Sequence, residues 1–204
     1  MHRALRAVAT LFAALTLAVA ATAADPVSEA KTMVHELSNG DPTKTGFCSA
    51  VALAPGVAMT AAHCASGRLA GKVYLHANGK ALPVTAWNLP NGGDTALLTV
   101  PGLTCPCAER APAVILESFA NVLVLGYPLG GELTETYGIF VGWMRVNGEG
   151  FVAQNLLVLT APVKPGNSGG GAFIVGADGK PYLIGIVVAQ LGDGRMSFAE
   201  DVTR

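Results

Sequence analysis

Lys164-Pro165-Gly166-Asn167-Ser168-Gly169-Gly170 sets a serine on a glycine-rich turn between two apolar runs, one ending near residue 160 and one starting near 171. Glycines let such a turn take backbone conformations closed to other residues and leave its N–H groups uncovered by side chains. A serine hydroxyl is a poor nucleophile at neutral pH. It needs a base to take its proton and a carboxylate to fix that base's tautomer and stabilise its cation. Working outward, Thr60-Ala61-Ala62-His63-Cys64 supplies a histidine and Asp94-Thr95-Ala96-Leu97-Leu98 supplies an aspartate, giving the chain order His63, Asp94, Ser168.

The segments that carry these residues read as β structure. From Phe47 onward, short runs rich in valine, leucine and isoleucine are separated about every ten residues by Pro, Gly, Asn or Asp. Strands are expected near 47–53, 57–60, 72–76, 82–87, 95–100, 121–126, 137–143, 155–160, 171–175, 181–189 and 196–199. So many short strands with turn signals mean a sandwich or a barrel. Pro101 to Pro112 holds three prolines and two cysteines without sustained periodicity and is the expected internal boundary. It separates His63 and Asp94 from Ser168, so a site using all three lies between two halves. Ahead of the strands, Val27, Ala30, Met33, Val34 and Leu37 have helical spacing, with Asp25 as cap, Pro26 in the first turn and Asn39-Gly40 as the stop.

His2, Arg3 and Arg6, then an apolar run from Ala7 to Ala21, then Ala21-Thr22-Ala23 with small residues at the cleavage positions, read as a secretory leader cut after Ala23. An uncleaved anchor is the alternative, and the alanine-rich centre disfavours it. Without residues 1–23 the chain carries 11 Lys and Arg against 14 Asp and Glu. That balance lacks the basic surface a nucleic-acid partner would require. In an oxidising compartment the four cysteines are disulfides first. Of three possible connectivities, Cys48 with Cys64 and Cys105 with Cys107 is favoured, the first because it would staple the histidine segment to its neighbouring strand. Cys105 and Cys107 have no nearby ligands to complete a tetrahedral metal site.

Together, the blocks at Thr60–Cys64, Asp94–Leu98 and Gly166–Gly170 resemble the signatures of the trypsin-like (chymotrypsin-fold) serine peptidases, over roughly residues 45–200. Leu125-Gly126-Tyr127-Pro128-Leu129-Gly130 and Thr160–Gly170 resemble the bacterial HtrA-type branch, with no PDZ domain following. The resemblance implies an all-β fold of two six-stranded antiparallel Greek-key barrels with the site in the cleft between them, and one short N-terminal helix. The expected division is a leader over 1–23, a helical extension over 24–45, and barrels over 46–112 and 113–204. It further implies a secreted or periplasmic serine endopeptidase, acting as a monomer on polypeptides through an acyl-enzyme, needing no cofactor or metal and engaging no membrane once the leader is gone.

His63, Asp94 and Ser168 take the catalytic roles, and the N–H groups of Gly166 and Ser168 form the oxyanion hole. Pro162, Val163, Lys164, Val187, Ala189 and Gln190 line the substrate pocket. Two departures matter. Asn167 stands where the digestive enzymes carry an aspartate that pairs with a released N-terminus, so activation by that route is not expected. Val188 stands where the family often has a serine touching the catalytic aspartate, which removes one donor. Pro162 replaces the acidic pocket base of trypsin and Val187 the histidine of glutamate-specific relatives, so a small or medium apolar residue before the scissile bond is expected.

Three other readings compete. A trypsin-like binding protein without turnover would keep the fold, although it has no use for a full triad. A thiol redox protein would use Cys105 and Cys107, but the surrounding pattern lacks a βαβ unit. An esterase would share the triad, yet its Gly-x-Ser-x-Gly elbow between strand and helix is missing. His35 and His76 receive no role.

Overall fold

Asp25 caps the first element. Its carboxylate accepts the N–H groups of Val27 at 3.4 Å and Ser28 at 3.1 Å, and Pro26 opens helix α1, Pro26–Lys31. The computed structural model describes residues 25–40, 46–66, 68, 70–89, 93–112, 116–148, 151–192 and 194–203, so the expected leader lies outside the described residues.

The helix ends earlier than its spacing predicts. Val34–Asn39 is strand β1 instead, paired antiparallel with β2 (Cys48–Ala54) and β4 (Val73–Ala77). Residues three apart share a helix face but lie on opposite faces of a strand. Here both faces are covered: Leu37 enters the first barrel's core, and Val34 joins the seam between the barrels. Burial on both sides overrides the local helical pattern.

The first sheet adds β3 (Val57–Ala61), β5 (Lys80–Pro83), β6 (Ala86–Asn88) and β7 (Thr95–Thr99), in the order β5-β4-β1-β2-β3-β7-β6. β5 and β6 are two halves of one bent segment, where a single strand over 82–87 is expected. At the bend Val84 donates to the Val73 carbonyl at 2.8 Å and Thr85 to the Thr99 carbonyl at 2.9 Å. These bonds join the two ends of the order and close a barrel of six staves. Its core is filled largely by small residues, among them Ala50, Ala52, Ala58, Ala61 and Ala96 around Leu75 and Leu98.

The second sheet holds β8 (Glu109–Arg110), β9 (Asn121–Gly126), β10 (Thr134–Gly148), β11 (Phe151–Leu159), β12 (Gly171–Val175), β13 (Pro181–Gln190) and β14 (Ser197–Asp201). Its order is β12-β9-β10-β11-β14-β13-β8, and β12 also pairs with β13. Six strands therefore close on themselves, and β8 attaches outside in parallel to β13. β8 falls before Pro112, so the second sheet begins within the proline-rich segment. β10 and β11 form a longer hairpin than the expected strands over 137–143 and 155–160, with pairing that runs on to Gly148 and Phe151.

Between the barrels lies a third cluster: Val51 and Met59 from the first, Leu123, Leu125, Phe173, Leu183 and Ile186 from the second, and Met33 below α1. Each large apolar side chain buried there contributes about 2 kcal/mol. The seam is thus a packed core rather than a loose hinge, which fixes the relative position of groups carried by opposite barrels.

Candidate active site

β3 ends at Ala61 and turns directly into the single-turn helix α2, Ala62–Ala65, which carries His63. β7 lies beside β3 with Ala61 opposite Thr95, so the residue before β7, Asp94, meets the start of α2. The Asp94 carbonyl accepts the Ala62 N–H at 2.9 Å, and its Oδ1 accepts the His63 N–H at 2.9 Å. Its Oδ2 faces His63 Nδ1 at 2.8 Å. A carboxylate on Nδ1 makes that nitrogen the donor and leaves Nε2 as the basic atom. Arg68 backs the turn, donating from Nη1 to the His63 carbonyl at 3.2 Å while its guanidinium stacks on Phe47 at 4.0 Å.

Val188 supplies no donor to Asp94. It is buried with the first barrel's core, and the carboxylate receives its two donors from His63 itself.

Ser168 sits on a turn tied at both ends. Asn167 donates to the Lys164 carbonyl at 3.0 Å and Gly170 to the Asn167 carbonyl at 2.8 Å. Gly169 donates to Val187 at 2.7 Å, and Val187 returns a bond to Gly170 at 2.9 Å, which locks the turn to β13. Gly166 and Gly169 have φ of 99° and 84°, and a Cβ on Gly169 would run into the Ser49 carbonyl and Thr60 Oγ1. Both positions therefore require glycine.

Ser49, which the sequence does not single out, joins this turn to the histidine segment. Its N–H donates to the Ser168 carbonyl at 2.7 Å. Its hydroxyl donates to the Gly166 carbonyl at 2.8 Å and accepts the Tyr127 N–H at 2.8 Å. Thr60 Oγ1 donates to the Ser49 carbonyl at 2.6 Å. The next link is covalent: Cys48 is bonded to Cys64, whose Sγ lies 3.7 Å from the Ser168 carbonyl oxygen. The only signal for Ser49 in the chain is its place beside Cys48. The sulfurs of Cys48 and Cys64 also lie near the His63 ring, but their disulfide leaves no thiolate to hold a metal. Cys105 and Cys107 are bonded to each other on the segment between the barrels.

The structure joins His63 directly to Asp94, and the Cys48–Cys64 bridge next to His63 lies against the Ser168 carbonyl. Ser168 Oγ makes no hydrogen bond to His63 among the described residues, so the imidazole is fixed from its Nδ1 side. The N–H groups of Gly166 and Ser168 donate to no acceptor among the described residues. A cavity of about 220 Å³ opens beside Ser168, lined by Val163, Lys164, Pro165, Val187, Ala189 and Gln190. Pro162 lines an adjoining cavity of about 520 Å³, which shares Val163, Lys164 and Gln190 with the smaller one and is also lined by Asn167 and Thr136, whose Oδ1 and Oγ1 are buried without partners among the described residues.

A second acidic group stands behind Asp94. Glu200, on β14, accepts from Thr95 Oγ1 at 3.5 Å. Burial pushes its carboxyl above the usual range, and the charge of Asp94 adds to that rise.

The trypsin-like peptidase domain family matches residues 44–186. The serine protease Rv3671c of Mycobacterium tuberculosis is 32% identical over 132 residues, which is 62% of this chain and 32% of that protein. The chain thus spans about a third of the length of the curated relatives it matches. The crystal structure of Rv3671c in its active form superposes with a TM-score of 0.73 at 27% identity, covering 87% of this chain and 80% of that one. The HtrA-type protease AlgW, solved with a tripeptide, gives a TM-score of 0.73 at 25% identity over 88% of this chain and 59% of that one. With the match spanning both barrels and every segment that carries His63, Asp94 and Ser168, the chain belongs to the trypsin-like peptidase domain family.

Proposed function

We propose that the chain is a serine endopeptidase in which Ser168 attacks the scissile carbonyl, His63 takes its proton and Asp94 holds His63. The observation that carries this reading is the double engagement of Asp94 with the His63 N–H and Nδ1, at 2.9 and 2.8 Å, beside the locked Ser168 turn. With Nδ1 committed to the carboxylate, Nε2 accepts the Ser168 proton as the Oγ–carbon bond forms. The carbonyl oxygen then turns negative, and the free N–H groups of Gly166 and Ser168 receive it. Collapse expels the amine, which takes the proton from His63 Nε2. Water, deprotonated by the same nitrogen, releases the acyl group from Ser168.

The cavity beside Ser168 takes the side chain that precedes the cut bond. Val163, Val187 and Ala189 make its walls apolar, and no lining residue is acidic. Such a pocket selects by size and burial, so it favours small or medium apolar residues over Lys or Arg. Polypeptide is the substrate class, in keeping with the peptide-bound AlgW structure. Residues 1–23 direct export, which suits the Cys48–Cys64 bridge. Among the described residues no helix is long and apolar enough to cross a membrane. Cleavage-site mapping on a denatured peptide library tests the reading: cuts after Val, Ala or Leu support it, and a dominant preference for Arg, Lys or Glu overturns the pocket assignment.

A further inference from the structure

Arg68 carries a cation that no carboxylate meets. It enters no ion pair among the described residues, and its Nε is buried without a partner there. What holds the guanidinium is neutral: the His63 carbonyl accepts from Nη1 at 3.2 Å, and the Phe47 ring lies 4.0 Å from it. The acids on neighbouring segments are engaged elsewhere, Asp94 with the His63 N–H and Glu36 with the Gly46 N–H at 2.6 Å. A partly desolvated cation without a counter-charge is costly to keep. Its surroundings put it beside the nucleophile. Phe47 leads into Cys48, which is bonded to Cys64, and Cys64 Sγ lies 3.7 Å from the Ser168 carbonyl oxygen. On the other flank of the Ser168 turn, Gly169 and Gly170 are bonded to Val187 of β13, where the cavity of about 220 Å³ opens. Ser168 thus has an apolar pocket on one side and the disulfide, Phe47 and Arg68 on the other.

We propose that Arg68 selects an acidic side chain in the part of the substrate that leaves first, at the first or second residue after the cut bond. The proposal rests on the catalytic reading given above. The departing amine takes its proton from His63 Nε2, so the departing chain lies on the His63 side. The chain before the cut bond takes the other flank, with its side chain in the cavity along β13. An extended peptide advances about 3.3 Å per residue, so a carboxylate one or two residues beyond the bond comes within reach of a guanidinium tied to the His63 carbonyl. The Nη groups not used on that carbonyl donate to no acceptor among the described residues, and their planar fork matches a carboxylate. Stacking on Phe47 holds the fork in one plane before substrate arrives, which lowers the cost of ordering it. Lys164, the other cation near Ser168, lines the cavity on the opposite flank.

The test uses peptides with Val before the cut bond and either Glu or Gln at the first or the second position after it, assayed with wild type, Arg68→Gln and Arg68→Lys. At one of the two positions wild type should favour Glu over Gln by about five- to tenfold in kcat/KM, mostly through KM, and the ratio should shrink as salt is raised. Arg68→Gln should bring that ratio to about one. Arg68→Lys keeps the charge without the fork and should retain part of the preference. An Arg68→Gln protein that slows the Glu and Gln peptides alike, with the wild-type ratio intact, means that Arg68 only braces the His63 turn and overturns the proposal. So does an active wild type that cleaves Glu and Gln peptides equally at both positions, a result that requires no variant to fold. A wild-type chain that cleaves no peptide and takes no serine-directed label overturns the catalytic reading as well.

Discussion

Replacing Ser49 with alanine removes one hydroxyl that no solvent reaches and that serves two buried main-chain groups at once. The Gly166 carbonyl loses its donor at 2.8 Å and the Tyr127 N–H its acceptor at 2.8 Å. Water cannot readily take over, since a Cβ on Gly126 would already lie 3.2 Å from Ser49 Oγ and the position has no exposure. Each stranded group costs about 1–3 kcal/mol, so the variant should lose roughly 2–5 kcal/mol of stability. For a chain of this size that lowers the unfolding midpoint by roughly 5–15 °C, readable by differential scanning calorimetry. The same bond orients the peptide that follows Pro165, so kcat should fall about ten- to a hundredfold at nearly constant KM, a part of the loss expected on removing an oxyanion donor. A Ser49→Ala protein that melts within about 1 °C of wild type and keeps its kcat would refute the claim that this hydroxyl ties the nucleophile turn to the first barrel.

Three further outcomes are expected. Asp94→Asn should keep the fold and lower kcat by about 10⁴, by analogy with the general serine-protease case, because an amide no longer enforces the Nδ1–H tautomer; steady-state kinetics on the folded variant measures it. Changing both Cys48 and Cys64 to alanine opens a loop with a sequence separation of 16 and should cost about 3 kcal/mol, read from denaturant unfolding. For Glu200 the sign follows from its raised carboxyl: the folded state holds the proton more tightly, so this stabilisation is present below about pH 4.5 and is lost as pH rises through the folded value. The melting temperature of Glu200→Gln minus that of wild type should therefore increase from pH 4.5 toward neutrality, and a flat difference would contradict the raised value.

Much of this was legible in the chain because it is local. The Ser168 turn announces itself by glycines that the backbone requires, and the His63 and Asp94 blocks each sit at a strand end where a turn signal marks them. Most of the strands could likewise be placed from valine-rich runs between Pro, Gly, Asn and Asp. β1 could not, since Val34 and Leu37 are spaced as for a helix while each meets a different core. The full length of β10 and β11 was hidden because their far ends, from Arg145 to Asn155, lack a sustained apolar run and are defined by pairing with each other. Ser49 and Glu200 were invisible for another reason: their importance arises from partners more than 100 residues away, Gly166 for one and Thr95 for the other. No local pattern encodes such contacts, and only closure of both barrels brings them together.

The central claim is that Ser168 is a nucleophile activated by His63. Labelling the folded protein with a fluorophosphonate and locating the adduct by peptide mass spectrometry tests it most directly. The account predicts stoichiometric modification of Ser168 that is lost in Ser168→Ala and strongly slowed in His63→Ala. A correctly folded wild type that takes no label, or a label that persists in Ser168→Ala, would contradict it.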